Sequence, residues 1–218
     1  LNFAYTLFLI LRHDPDFKGK LSAGEIERLV RRWYAMSGLT GRYTSSPESR
    51  FEQDLRLISQ SPVEEVLGEI ETAELSDAFW DAGLISRLTT SNINNPAFHV
   101  FLAAQSHANY RGFLSKEITV KNMLEYRGDI HHLFPKAYLK KAGLTRSKYN
   151  QVANMVYMQS ETNIAVGAKP PEEYMGIVLE QCKTSDRNLG GITRLKDLQE
   201  NLKVNAIPPE FSNGAVDD

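Results

Sequence analysis

Before about residue 116, no run of the sequence alternates apolar with polar residues. Its apolar residues return instead at helical spacing, which confines the first half of the chain to helices. Ile26, Leu29, Val30 and Trp33 stand at i, i+3, i+4 and i+7 behind Ser22-x-x-Glu25. In that pattern the Ser hydroxyl and the Glu carboxylate each satisfy a free amide of the first turn, so a helix is expected over 22–37. Gly38 to Tyr43 supply a breaker and a loop. Ser46-Pro47 then reads as an N-cap followed by proline at the first helical position, launching a helix that should bury Phe51, Leu55 and Ile58. Pro62 opens another helical segment to about Ile70, and Pro96 to Asn109 places Phe98, Phe101 and Leu102 on one helical face. The stretch 77–88 is ambiguous.

The character of the sequence changes after Phe113. Residues 129–134 read as a short extended segment stopped by Pro135, and Met155 to Met158 form a second brief β-like run. Short helices are expected around Lys136 to Lys141 and Ser147 to Ala153, and a longer one over 172–182, where Tyr174, Ile177 and Val178 share a face. A last helix, about Ile192 to Val204, carries Leu195, Leu198 and Leu202 in register, and the tail from Asn205 is expected to fray. The fold class implied is mainly α, a helical N-terminal body plus a small α+β lobe. The expected domains are 1–115, helical; 116–183, the mixed lobe; and 184–218, a C-terminal helix and tail.

Composition removes several classes of function. With 218 residues, 42% of them apolar and 24% charged, the chain can bury an ordinary core. One cysteine, Cys182, excludes both a disulfide framework and a thiolate zinc site, so any metal must be held by His, Asp, Glu or Asn. Net charge is −2, so attraction to nucleic acid has to be local. The most apolar stretch, Phe3 to Leu11, is too short to span a bilayer and reads as a buried helix, so no membrane partner is expected. The chain begins at Leu1 rather than Met, which leads us to expect a longer polypeptide with a domain upstream.

Of five histidines, three are scattered; His131 and His132 are adjacent, follow Asp129 and precede Leu-Phe-Pro. Downstream stand Asn154 and Asn163, nine residues apart. Asp129-Ile-His-His-Leu-Phe-Pro, then Asn154, then Asn163, resembles the HNH nuclease motif, in which a β-hairpin is clasped to a helix around one divalent metal (the ββα-metal fold). The wider text, Asp-Ile-His-His-Leu-Phe-Pro-Lys-Ala-Tyr-Leu, then Ser-Glu-Thr-Asn, then Lys169-Pro-Pro-Glu-Glu-Tyr, is similar to the C-terminal nuclease domain of GmrSD-type, modification-dependent restriction endonucleases. The helical segment with Arg32-Trp33 and Gly41-Arg42-Tyr43-Thr-Ser-Ser resembles the helices these proteins place between their two functional domains.

The resemblance implies a metal-dependent endonuclease with one divalent cation, Mg²⁺, held by His131 and Asn163. Because many HNH nucleases carry Asp where His131 stands, the resemblance extends the expected ions in vitro to Mn²⁺, Co²⁺ or Ni²⁺. An imidazole has a free pKa near neutrality, and His132 is the expected general base for in-line attack of water on phosphorus. Asp129, two residues before His131 and on the same strand face, is expected as a further ligand or as the acceptor that orients the His131 ring. Adjacent strand residues point to opposite faces, so both histidines can flank one phosphate only where the strand ends, as Pro135 suggests. Asn154 is expected to tie the loop between the strands and so position His132.

Between Pro135 and Tyr149 lie Lys136, Lys140, Lys141, Arg146 and Lys148 with no acid, an excess suited to phosphate contacts that give affinity without reading sequence. Lys136, Lys140 and Lys169 are the preferred contacts. The implied partners are DNA, including modified phage DNA, and an upstream NTPase-type domain; the implied role is anti-phage restriction in a bacterial cytoplasm. Two other readings stay open on the residues alone, a non-catalytic helical binding module with a nuclease-like lobe and a ribonuclease of the same chemistry.

Overall fold

A computed structural model describes residues 1–213 apart from Lys18 and Arg127. The chain is mainly helical with one small two-stranded antiparallel sheet, and it divides into two compact units, residues 1–88 and residues 89–218. Among the described residues no helix is long and apolar enough to cross a membrane.

The first unit contains α1 (Asn2–His13), α2 (Ala23–Thr40), α3 (Pro47–Gln60), α4 (Val63–Glu74), a π-helical turn over Phe79–Gly83, and α5 (Leu84–Leu88). Helix α2 starts on the expected box: Glu25 N–H donates to Ser22 Oγ at 3.3 Å and Ser22 N–H to Glu25 Oε2 at 2.8 Å. It ends at Gly41, whose φ of 64° is the left-handed conformation that glycine adopts without strain. Ser46 departs from expectation. It too is left-handed, with φ of 48°, and its side chain makes no capping bond, so Pro47 alone carries the start signal of α3.

The core of this unit joins Phe3, Leu7 and Leu11 of α1 to Ile26, Leu29, Trp33 and Met36 of α2 and to Val63, Val66, Leu67 and Ile70 of α4. From α3 only Ile58 is fully buried among the three residues expected there; Phe51 and Leu55 are half-buried. The other buried position of α3 is Asp54, 0% exposed. It is paired with Arg42, whose Nε donates to Oδ2 at 2.8 Å and whose Nη2 donates to Oδ1 at 2.5 Å. Arg42 also meets Glu74, Tyr43 Oη donates to Asp54 at 2.6 Å, and Trp33 Nε1 donates to Tyr43 Oη at 2.9 Å. Burial by itself would lower the pKa of the guanidinium, but the carboxylates outweigh it and hold Arg42 above its ordinary value. The loop after α2 is thereby fastened to α3 and α4 by buried charge.

The second unit runs α6 (Pro96–His107), α7 (Val120–Tyr126), β1 (Gly128–His132), α8 (Lys136–Lys141), α9 (Arg146–Tyr149), β2 (Met155–Gln159), α10 (Ser160–Val166), α11 (Pro171–Thr184) and α12 (Leu195–Val204). Asn95 Oδ1 accepts from Ala97 N–H at 2.9 Å, starting α6 at Pro96 as the sequence predicts. The strands pair from Gly128 against Gln159 to His132 against Met155. At Gly128 a Cβ would lie 2.3 Å from that of Met123, so the missing side chain is what lets α7 pack on β1.

The structure departs from the expected boundaries in three places. The compact unit begins at Thr89 rather than at 116, because the segment after α6 is bound into it: Phe113 N–H donates to Tyr157 O at 2.8 Å, alongside β2. The C-terminal part is not a separate piece either. Asn201 on α12 donates to Gly112 O at 3.0 Å and accepts from Leu114 N–H at 2.9 Å, and Gln105 of α6 donates to Val204 O at 2.9 Å. Nor does the chain fray at Asn205, which is 5% exposed and donates to Arg111 O; Ile207 and Phe211 are buried, and the Phe211 ring stands 5.6 Å from that of Phe134. Residues 214–218 of the expected tail lie outside the described residues.

Candidate active site at the end of the first strand

The order β1, connecting loop, β2, α10 brings the singled-out residues into one small region, with α10 packed on both strands. Strand alternation puts Asp129 and His131 on one face with their partners Met158 and Val156, which enter the core beside Val166 and Tyr174. Ile130 and His132 take the other face. The pairing stops at His132.

His131 is 6% exposed, and its Nε2 is buried without a hydrogen-bond partner. Burial pushes the imidazole down to about 4, while the side chain of Asn163 on α10 works the other way and Asp129 only weakly so. At neutral pH the ring is therefore uncharged and keeps a lone pair. A buried ring nitrogen with no partner beside an amide side chain fits a divalent cation, for which neutral imidazole is a common ligand. Asp129 is exposed, and among the described residues no three His, Cys, Asp or Glu side chains gather as a metal-holding group. The donor set that fits is thus His131 with Asn163.

A depressed imidazole pKa has a sign. The unfolded chain, with its ring near 6.5, binds a proton that the folded chain resists until about pH 4. The stabilisation is present above 6.5 and is lost as pH falls from there towards 4, by about 3 kcal/mol at most for a shift of this size. Urea unfolding of the metal-free chain in EDTA should show that loss, and His131→Gln should flatten the slope over the same window; an unchanged slope would contradict a buried neutral ring.

Around His132 the backbone is held tightly. Leu133 N–H donates to Asn154 O at 2.9 Å, and Tyr174 Oη donates to Leu133 O at 2.8 Å. The Asn154 side chain accepts from Phe134 N–H at 2.7 Å and donates to Phe134 O and Tyr149 O, each at 3.1 Å. It therefore bridges the chain just after β1 to the end of α9, the loop-tying position expected of it. His132 Nε2 lies 2.9 Å from Asn150 Oδ1. Sequence reasoning missed Asn150, which follows a basic helix with no periodic or motif signal to mark it.

The lysines divide into two groups. Lys136 and Lys140 are exposed, and both ammonium groups sit over the ring of Tyr149, at 5.7 and 5.8 Å from its centroid. Lys169 instead donates to Ala165 O at 2.7 Å, where a cation complements the C-terminal end of α10. Only the first two are brought together beside the loop that faces His132.

No family model matches the chain, and no solved structure matches it. It is similar to the uncharacterized protein MJ0686 of Methanocaldococcus jannaschii, with 23% identity over 207 residues. That match covers 92% of this chain and 30% of the length of the relative.

Proposed function

We propose that the chain is the nuclease part of a metal-dependent endonuclease of the HNH type that hydrolyses DNA phosphodiesters. The observation that carries the reading is the buried, unpartnered Nε2 of His131 beside Asn163, on a hairpin whose next residue, His132, ends the strand. His131 and Asn163 would hold the cation, with Mg²⁺ the expected ion. Bound there, it would neutralise charge at the scissile phosphate and the departing 3′-oxygen.

The chain's own groups supply the rest. His132 takes a proton from water as the oxygen attacks phosphorus. The bond from phosphorus to the 3′-oxygen breaks, that oxygen takes a proton from solvent water while His132 returns its own proton to solvent, and the products carry 5′-phosphate and 3′-hydroxyl ends. Asn154 keeps the turn behind His132 closed, and Lys136 with Lys140 offers charge to neighbouring phosphates. As part of a longer GmrSD-like polypeptide, with a nucleotide-hydrolysing domain contributed from upstream, the role would be restriction of modified phage DNA in the cytoplasm.

The test is conversion of supercoiled plasmid to nicked or linear form with Mg²⁺ or Mn²⁺. We expect cutting that EDTA abolishes, and that His131→Ala recovers in part as the metal concentration is raised. If neither plain plasmid nor cytosine-modified phage DNA is cut, even by the longer polypeptide, the reading falls and the lobe is a binding platform.

A further inference from the structure

The two nitrogens of the His132 ring have unequal surroundings. Nε2 lies 2.9 Å from Asn150 Oδ1, and a carbonyl oxygen can only accept, so Nε2 carries the hydrogen and Nδ1 keeps the lone pair. We propose that Asn150 is a positioning residue, which fixes His132 as the Nε2–H tautomer and leaves Nδ1 to accept the proton from water. This inference rests on the endonuclease reading.

Asn150 can do this because its own position is determined twice. Its N–H donates to Arg146 O at 3.1 Å, closing the last turn of α9, and the carbonyl just before it, Tyr149 O, accepts from Asn154 at 3.1 Å. Tyr149 is 5% exposed, so its ring anchors this end of the loop in the protein. Asn154 simultaneously binds both the N–H and the C=O of Phe134, two residues past His132. One amide thus fixes the backbone behind the imidazole and the backbone that presents its acceptor. Asn154 acts on His132 through Asn150, which gives this asparagine a route to the chemistry that passes through no contact of its own with the ring.

An amide turned the other way would present Nδ2 to the ring and force the hydrogen onto Nδ1, so the tautomer itself is the measurement. In the full chain labelled with ¹⁵N-histidine, two-bond ¹H–¹⁵N correlations in mildly alkaline buffer, with His132 assigned by loss of its signals in His132→Gln, should give the Nε2–H pattern. Asn150→Leu should give a mixture. In plasmid cutting, Asn150→Leu should lower kcat roughly 10–100-fold with KM within about twofold, as for other residues that orient a working imidazole. Asn150→Asp, which keeps an acceptor in place, should restore most of the rate and guards against a leucine variant that folds poorly. An Nδ1–H pattern in the wild type, or a leucine variant as fast as the wild type, overturns the proposal. A wild type that shows the Nε2–H pattern yet cuts no DNA overturns the endonuclease reading instead, and with it the catalytic part of the role.

Discussion

Asp54→Ala should destabilise the first unit by about 3–5 kcal/mol, the cost of removing one partner from a buried ion pair. The side chain of Asp54 is 0% exposed and that of Arg42 4%. Truncation leaves a guanidinium that has lost two hydrogen bonds and cannot turn to water, with Glu74 as its remaining carboxylate. It also strips Tyr43 Oη of its acceptor, while Trp33 Nε1 still donates to that hydroxyl. Set against a total domain stability of about 5–15 kcal/mol, a loss of this size moves a urea midpoint by much of its range. Replacing both charges, as in Arg42→Met with Asp54→Leu, should cost far less, because no charge is then left buried alone. The check is urea unfolding of the single and double variants. A single variant within about 1 kcal/mol of the wild type would mean that the pair is solvated.

That network was not legible in the sequence, and the reason is physical. An aspartate inside a helix reads as part of a solvated face, and what buries Asp54 is a partner 12 residues away, delivered by a left-handed turn at Gly41. The signals that were legible are local ones. Ser22 with Glu25, Pro47, and Pro96 all start helices where expected, because caps and proline act within one turn. Helix α10 was missed on the same logic. Ser-Glu-Thr-Asn-Ile-Ala-Val is poor in strong helix formers, and what holds the segment helical is burial of Thr162 and Val166 against the second core.

The site divides in the same way. The paired histidines with Asn154 and Asn163 stand out through their resemblance to a known motif, and both strands fell close to their expected bounds. What spacing could not give was which groups face which. Asn150, the pairing of Lys136 and Lys140 over one buried ring, and the turn of Lys169 towards the end of α10 depend on how the loop between the strands closes. That closure is set by the Asn154 amide, whose tying role is expected from the sequence though its partners are not, and by Tyr174 from a helix well downstream, a contact that no local pattern encodes.

Under the proposed endonuclease function, His132→Ala should lower the rate of DNA cutting by about 10²–10⁴-fold, the range a positioned general base contributes. The fold should survive, because the ring is only half-buried and its hydrogen bond is to one side chain that water can replace. DNA binding should persist as well, since Lys136 and Lys140 are arranged by Tyr149 and not by His132. The informative comparison is with His131→Ala on the opposite face of the same strand. Loss of a cation ligand weakens metal affinity, so raising the metal concentration should recover part of the rate there. Loss of the base leaves that affinity alone, so His132→Ala should stay slow at every metal concentration. Titrating Mg²⁺ and Mn²⁺ against single-turnover cutting by the two variants separates the roles of two adjacent histidines. Equal rescue of both would place His132 among the groups that hold the metal and require another base, and a His132→Ala chain as fast as the wild type would remove the imidazole from the chemistry altogether.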